Sequence, residues 1–109
     1  MTPIAKVITR GDYRLELHVS PNRAAVPNNF AVRIERGGKP VTGAEVTATF
    51  TMLDMEMGSQ GYRLAESGGG LYRHSAPALV MVGRWGLSFD IQPPGQQPFD
   101  VLLVDHAHG

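Results

Sequence analysis

The sequence predicts an all-β domain, specifically an immunoglobulin-like two-sheet β-sandwich of about seven strands without a disulfide. Three observations support this prediction. Apolar and polar residues alternate in one segment after another, turn-forming residues separate those segments, and no segment keeps a helical period. The 109 residues include 13 glycines and 8 prolines but no cysteine. A small β-barrel is the rival architecture.

The first three strand segments show the clearest alternation. Residues 12–20 (DYRLELHVS) place four apolar side chains on one face, namely Tyr13, Leu15, Leu17 and Val19. Residues 29–36 (NFAVRIER) repeat the pattern with Phe30, Val32 and Ile34. Residues 44–52 (AEVTATFTM) alternate apolar side chains with threonines, and Met52 continues the apolar register. Connections rich in Pro, Asn and Gly lie between these segments, so each can form a separate strand of one core.

The second half of the chain supplies four more strands. Residues 62–67 (YRLAES) and 70–77 (GLYRHSAP) flank a glycine run and predict a β-hairpin. Residues 84–91 (RWGLSFDI) place the only tryptophan, Trp85, on an apolar face that we expect in the core. Residues 99–105 (FDVLLVD) form the last strand. No linker divides the chain, so we expect one domain over residues 1–109, with a core of about residues 12–104 and a His-containing tail at 105–109.

Composition and motifs exclude several classes of function. Ten basic and ten acidic residues balance, so no net charge attracts nucleic acid, and nucleic-acid binding is not expected. Without cysteine there is no thiolate nucleophile and no thiolate metal ligand. The sequence also has no GxSxG, HExxH, P-loop or dinucleotide-binding motif. An enzyme is therefore not expected.

The Met-rich turn (residues 51–58, TMLDMEMG) contains three of the five methionines. Met52 is expected in the core, where methionine fills irregular gaps. Met55 and Met57 follow that register at positions i and i+2, so an extended backbone would project both sulfurs to one side. One interpretation is that they cap the open end of the core. The other is that they bind Cu(I), a soft ion that prefers thioether and imidazole ligands.

Two other regions contain further candidate ligands. His74 on the predicted hairpin and Met81 before the tryptophan strand would join the Met-rich turn if these loops meet at one end of the sandwich. At the chain end, His106 and His108 stand at i and i+2 beside Asp105. Such a pair can bind Cu(II), Ni or Zn and would form a second, weaker site, although a mobile tail is the ordinary interpretation.

Several of these segments together resemble the YtkA-like/FixH-like group of bacterial extracytoplasmic domains. The matching segments are GKPVTGAEVTATFTM, the turn MLDMEMG, LAESGGGLYRHS and ALVMVGRWGLSFDI. The resemblance implies an immunoglobulin-like sandwich in the periplasm or outside the cell, often behind a membrane anchor, that handles copper or assists assembly of copper-containing oxidases. The positions that match are Met55, Met57, Met81 and, less firmly, His74. The turn lacks the proline that many relatives carry, and neither a leader nor an anchor segment is recognisable.

Two functions are therefore expected. The first is a non-enzymatic domain that binds Cu(I) through Met and His loop ligands for copper transfer, resistance or oxidase assembly. Its partners would be the copper ion and a membrane-bound copper transporter or oxidase-assembly protein. The alternative is a structural or interaction module of a larger transport or respiratory assembly that binds no metal.

Overall fold

The computed structural model describes residues 3–109, and its regular structure is entirely β, which confirms the predicted class. In that part of the chain there are nine strands: β1 (Ile4–Arg10), β2 (Tyr13–Ser20), β3 (Asn28–Arg36), β4 (Lys39–Pro40), β5 (Glu45–Met52), β6 (Ser59–Glu66), β7 (Leu71–Ala76), β8 (Gly83–Gln92) and β9 (Phe99–Ala107). Seven of them correspond to the predicted segments, and β1 and β4 are additional.

The strands form one continuous antiparallel path in the order β1-β2-β3-β7-β6-β5-β8-β9, with β4 paired to β3. β6 connects the two halves of this path: β1, β2, β3 and β7 with β4 form one half, and β5, β8 and β9 form the other. It pairs with β5 through residues 59–64, whereas only Ala65 and Glu66 pair with β7. At the opposite side of the molecule, the rings of Tyr13 and Phe99 lie 4.9 Å apart, so the start of β9 approaches β2. The sheet is therefore nearly closed, as in the rival barrel prediction.

The core lies inside this nearly closed sheet and follows the predicted alternation. On β5 every second side chain is buried, ending with Phe50 and Met52. The ring of Phe50 contacts that of Phe30 on β3 at 4.5 Å between centroids, which joins the two halves of the sheet. Trp85 is only 3% exposed and lies opposite Met52 in the β5–β8 pairing. The predicted core positions of Met52 and Trp85 are thus confirmed.

The end of the chain differs from the prediction. β9 continues through Ala107, so residues 105–107 belong to the strand instead of starting a tail. Beyond the strand, the carbonyl of His108 accepts a hydrogen bond from the Ala24 backbone N–H at 2.7 Å. The alternation of β9 in fact extends past the predicted boundary, because Leu103, Asp105 and Ala107 are all buried. An aspartate at a core position concealed this pattern in the sequence.

Four segments meet at one end of the molecule, which we call the loop end: residues 21–27, 53–58, 77–82 and 108–109. Backbone hydrogen bonds connect them to each other and to β8. Ala25 N–H donates to the Leu79 carbonyl at 2.8 Å, and Leu53 N–H donates to the Arg84 carbonyl at 2.9 Å. The Met-rich turn and the loop that carries Met81 therefore lie at the same end, which was the condition for a shared site.

Candidate metal centre

The Met-rich turn is held against the start of β8 by Asp54. One carboxylate oxygen of Asp54 accepts the Arg84 backbone N–H at 2.8 Å, and the other accepts the Arg84 Nε–H at 2.8 Å. These backbone and side-chain hydrogen bonds hold the pKa of Asp54 below its ordinary value, and the nearby His106 lowers it slightly further. Asp54 is therefore a negatively charged residue whose position near the start of the Met-rich turn is fixed by its bonds to β8.

Gly83 lets the turn approach β8 closely. Its φ of +143° lies in the region that side chains disfavour. A Cβ at this position would collide with the terminal methyl of Met52 and lie 2.9 Å from a carboxylate oxygen of Asp54. The sequence signalled this residue only as the glycine between Met81 and Trp85. It gave no signal for the Asp54–Arg84 pair, whose members are 30 residues apart.

The methionines of the turn divide into two environments. Met52 is 6% exposed and belongs to the core. Met55 and Met57 are 53% and 45% exposed, so about half of each flexible side chain faces solvent. Capping of the core therefore does not account for all of their surface. Both residues are therefore partly open to an incoming ion or partner.

Met81 lies in the second loop of the loop end. Its side chain is 37% exposed, and its carbonyl accepts a hydrogen bond from Trp85 Nε1–H at 3.0 Å. Because Trp85 is buried opposite Met52, this bond fixes the backbone of Met81 relative to the strand that leads into the Met-rich turn. The loop is thus held by a core side chain, whereas Met81 itself remains partly exposed.

His74 lies on β7, opposite Phe30 of β3, and is partly buried. Its ring stacks on Tyr62 with 4.9 Å between centroids and 26° between planes. Tyr62 in turn contacts Phe50, so His74 is the last member of a row of rings that begins in the core. Its immediate environment is therefore aromatic, and its place in a metal site stays a prediction.

His106 and His108 lie together on the outer face of the C-terminal segment. Their rings stack with 4.7 Å between centroids and 14° between planes, and both side chains are exposed. Asp105 does not share this face, because neighbouring strand residues point to opposite sides. It is buried, accepts a hydrogen bond from Asn22 Nδ2 at 3.0 Å and has its pKa raised chiefly by burial. Asp105 is therefore not the companion of the imidazoles that the sequence suggested.

Carboxylates and imidazoles alone do not form a complete metal site in the described structure. Within residues 3–109, no three His, Asp or Glu side chains are grouped so that they could hold a metal ion. A centre at the loop end would therefore need the methionine sulfurs or water as further ligands. The described residues also include no helix with the length and apolar character required to cross a membrane.

Comparisons with known proteins give one family and one shared fold. The sequence model of the YtkA-like family matches residues 9–90, which confirms the resemblance drawn from the motifs. No curated protein matches the sequence. A DUF4426 family protein from Pseudomonas aeruginosa superposes with a TM-score of 0.70 at 17% identity, covering 94% of this chain and 96% of that one. A copper-bound variant of FetP from uropathogenic Escherichia coli strain F11 gives a TM-score of 0.69 at 16% identity, covering 98% and 97%. At such identities the likeness shows the fold.

Proposed function

Because this chain belongs to the YtkA-like family, we propose that it is a non-enzymatic copper-binding domain that acts in the periplasm or outside the cell. Cu(I) is bound at the loop end and passed on in copper transfer, resistance or oxidase assembly. The main support for this proposal is the exposure of Met55, Met57 and Met81 on two loops of the same end. In this proposal His74 supplies the imidazole ligand.

The chemistry of these side chains suits a transient Cu(I) site. Thioethers are soft ligands that select Cu(I) over the hard cations that carboxylates prefer. The Asp54–Arg84 bonds and the Trp85–Met81 bond fix the two loops, so the exposed sulfurs stand on supported backbone. The copper-bound FetP variant with the same fold adds support for copper as the ion.

The exposure of the sulfurs also fits transfer to a partner. An ion held by accessible loop ligands can be exchanged without opening the core, whereas a buried site would have to unfold locally. The partner in this proposal is a membrane-bound copper transporter or an oxidase-assembly protein. The loop end would be the surface presented to such a partner, because Met55, Met57 and Met81 are exposed there.

A competition titration with a Cu(I) chelator under reducing conditions tests the site. Met55→Leu/Met57→Leu keeps the side-chain volume but removes both sulfurs, so Cu(I) affinity is expected to fall by about tenfold or more. Met52→Leu is the matched control, because it makes the same change at a core methionine and should leave the affinity unchanged. Met81→Leu and His74→Gln test the other two ligands singly. Parent-like Cu(I) binding by the double variant would show that the assignment is wrong.

The second candidate function is a structural or interaction module that binds no metal. It is favoured by three exposed apolar residues, Leu102 and Val104 on the outer face of β9 and Leu53 directly after β5. The side chains of Leu53 and Leu102 both approach Gly86 of β8. A Cβ added to this glycine would lie 3.4 Å from Leu53 and 3.8 Å from Leu102. Exposed apolar patches of this kind often contact partners. Thermal melts separate the two functions, because Cu(I) raises the melting temperature only if the native state binds it.

A further inference from the structure

The backbone that carries His106 and His108 is fixed on both sides. His106 lies in the last part of β9 and pairs with Arg84 of β8. His108 follows the strand, but it bridges to Arg23 and its carbonyl accepts the Ala24 N–H at 2.7 Å. Both residues are therefore held before any ligand arrives. We propose that His106 and His108 together bind a divalent first-row transition-metal ion, with Cu2+ bound most strongly.

The ring geometry brings two imidazoles within reach of one ion. The side chains of i and i+2 project to the same face of a strand about 6.5–7 Å apart at their bases. The centroids of the two rings are closer than this, at 4.7 Å. Two nitrogens that share one ion, each at about 2.0–2.1 Å from it, lie at most about 4 Å apart. To share one ion, both rings must turn out of the stacked arrangement so that one nitrogen of each points at the same position, and the exposed face leaves room for these side-chain rotations.

The charges around the pair permit a cation. Arg84, opposite His106 in the sheet, would repel a metal ion if it were alone. Its guanidinium is paired with Asp54, since the Arg84 Nη2–Asp54 Oδ1 distance is 2.8 Å and Nε donates to the same oxygen. This pairing offsets part of the repulsion between Arg84 and a bound cation. Asp54 also lies close enough to His106 for the imidazole to lower its pKa.

The ligand set selects the class of ion. Neutral imidazole suits Cu, Ni and Zn, whereas Ca2+ and Mg2+ prefer oxygen ligands. Among divalent ions at a nitrogen site, affinity rises to a maximum at Cu2+. Water would occupy the remaining coordination positions on the open face. No thioether takes part, so this site is independent of the Cu(I) proposal.

Titration with Cu2+ alone, followed by electron paramagnetic resonance and calorimetry, tests the proposal on the full chain. The spectrum of the bound ion is expected to show coupling to two imidazole nitrogens. His106→Gln and His108→Gln should each weaken Cu2+ binding at least about tenfold, because even loss of an outer supporting group costs roughly 10- to 100-fold. His18→Gln is the matched control, as it changes an exposed strand histidine on β2. Ni2+ and Zn2+ should bind in the same place more weakly.

A measurement on the unmodified protein covers the case in which a variant does not fold. Substoichiometric Cu2+ should broaden the ring signals of His106 and His108 in the nuclear magnetic resonance spectrum before those of His18 and His74. Equal broadening of all four rings, or parent-like affinity in both glutamine variants, would overturn the proposal. Met55→Leu/Met57→Leu should keep Cu2+ binding intact. The Cu(I) and Cu2+ proposals therefore fail separately.

Discussion

Tyr72 connects β7 to the segment between β4 and β5. Its ring is fully buried, and its hydroxyl donates to the Val41 carbonyl at 2.8 Å and accepts the Ala44 N–H at 3.0 Å. Tyr72→Phe removes the hydroxyl and leaves both backbone groups without that partner. We expect a loss of about 1–3 kcal/mol in the free energy of unfolding, the usual cost of an unsatisfied buried polar group. Urea denaturation at neutral pH measures it, and Tyr62→Phe, which loses only a surface bond to Gln60, is the control.

The same hydroxyl makes the stability depend on pH at the alkaline end. Burial raises the pKa of Tyr72 above its ordinary value of 10.0, and the nearby Glu66 raises it further, against the Ala44 N–H bond that lowers it. A raised pKa means that the native state holds the proton more tightly than the unfolded state. The contribution of the Tyr72 hydroxyl to the free energy of unfolding is therefore complete below about pH 10 and is lost as the pH rises beyond that value. The difference between the parent and Tyr72→Phe should shrink above pH 10, and a constant difference would contradict this assignment.

At the scale of the elements, the strands that could be predicted from the sequence are those with one face buried along their whole length. β5 and β8 are such strands: the period of two is unbroken on β5, and on β8 it is interrupted only at the buried Gly86, which has no side chain. β1 was not recognised because it is an edge strand in which only Ile4 and Ile8 pack against the core, whereas Lys6 in the same phase is exposed. A pattern of two apolar positions is too short to stand out from a loop.

The candidate site was predictable to a similar extent. That Met55 and Met57 leave the core register followed from their position after Met52, and their exposure agrees with it. The contacts that hold the turn did not follow, because they depend on which strand pairs with β5. The β5–β8 register places Thr51 opposite Gly86 and thereby brings Asp54 to Arg84. Pairing between strands so distant in sequence is set by the whole core.

The Asp54–Arg84 contact gives a prediction about the Met-rich turn. In Asp54→Asn the amide replaces a carboxylate whose pKa is lowered mainly by bonds from the Arg84 backbone N–H and guanidinium. A lowered pKa stabilises the native state above the ordinary value of 3.8, and this contribution is lost as the pH falls through the folded pKa. The variant should therefore melt below the parent at pH 7, and the two should converge below about pH 4.

Two measurements check this prediction. Melting curves between pH 2.5 and 7 follow the convergence, and hydrogen exchange of the Arg84 amide should become faster in Asp54→Asn at neutral pH. Glu56→Gln is the matched control, since it neutralises the other carboxylate of the same turn at an exposed position. If Glu56→Gln lowered the melting temperature as much as Asp54→Asn, the anchoring role of Asp54 would be wrong.

At the scale of the whole molecule, the two halves of the sheet are joined by β6 and by the core between them. β6 shares only two residue pairs with β7, so hydrogen bonding alone connects the halves weakly. The side chains make the stronger connection, since Phe30 of one half contacts Phe50 of the other, and Phe50 also contacts Tyr62. Because these rings are buried against each other, unfolding of one half would expose the apolar rings of the other half to water. We therefore expect the two halves to unfold together.

Phe50→Ala tests this connection. Removing a fully packed ring from the centre should lower the free energy of unfolding by about 3–5 kcal/mol, because both the transfer free energy and the cavity contribute. The loss should appear as one transition shared by Trp85 fluorescence, which reports on β8, and far-UV circular dichroism, which reports on all strands. Thr49→Ala, a change on the outer face of the same strand, should cost less than about 0.5 kcal/mol. Separate transitions in Phe50→Ala would show that the two halves unfold independently and that the core does not couple them.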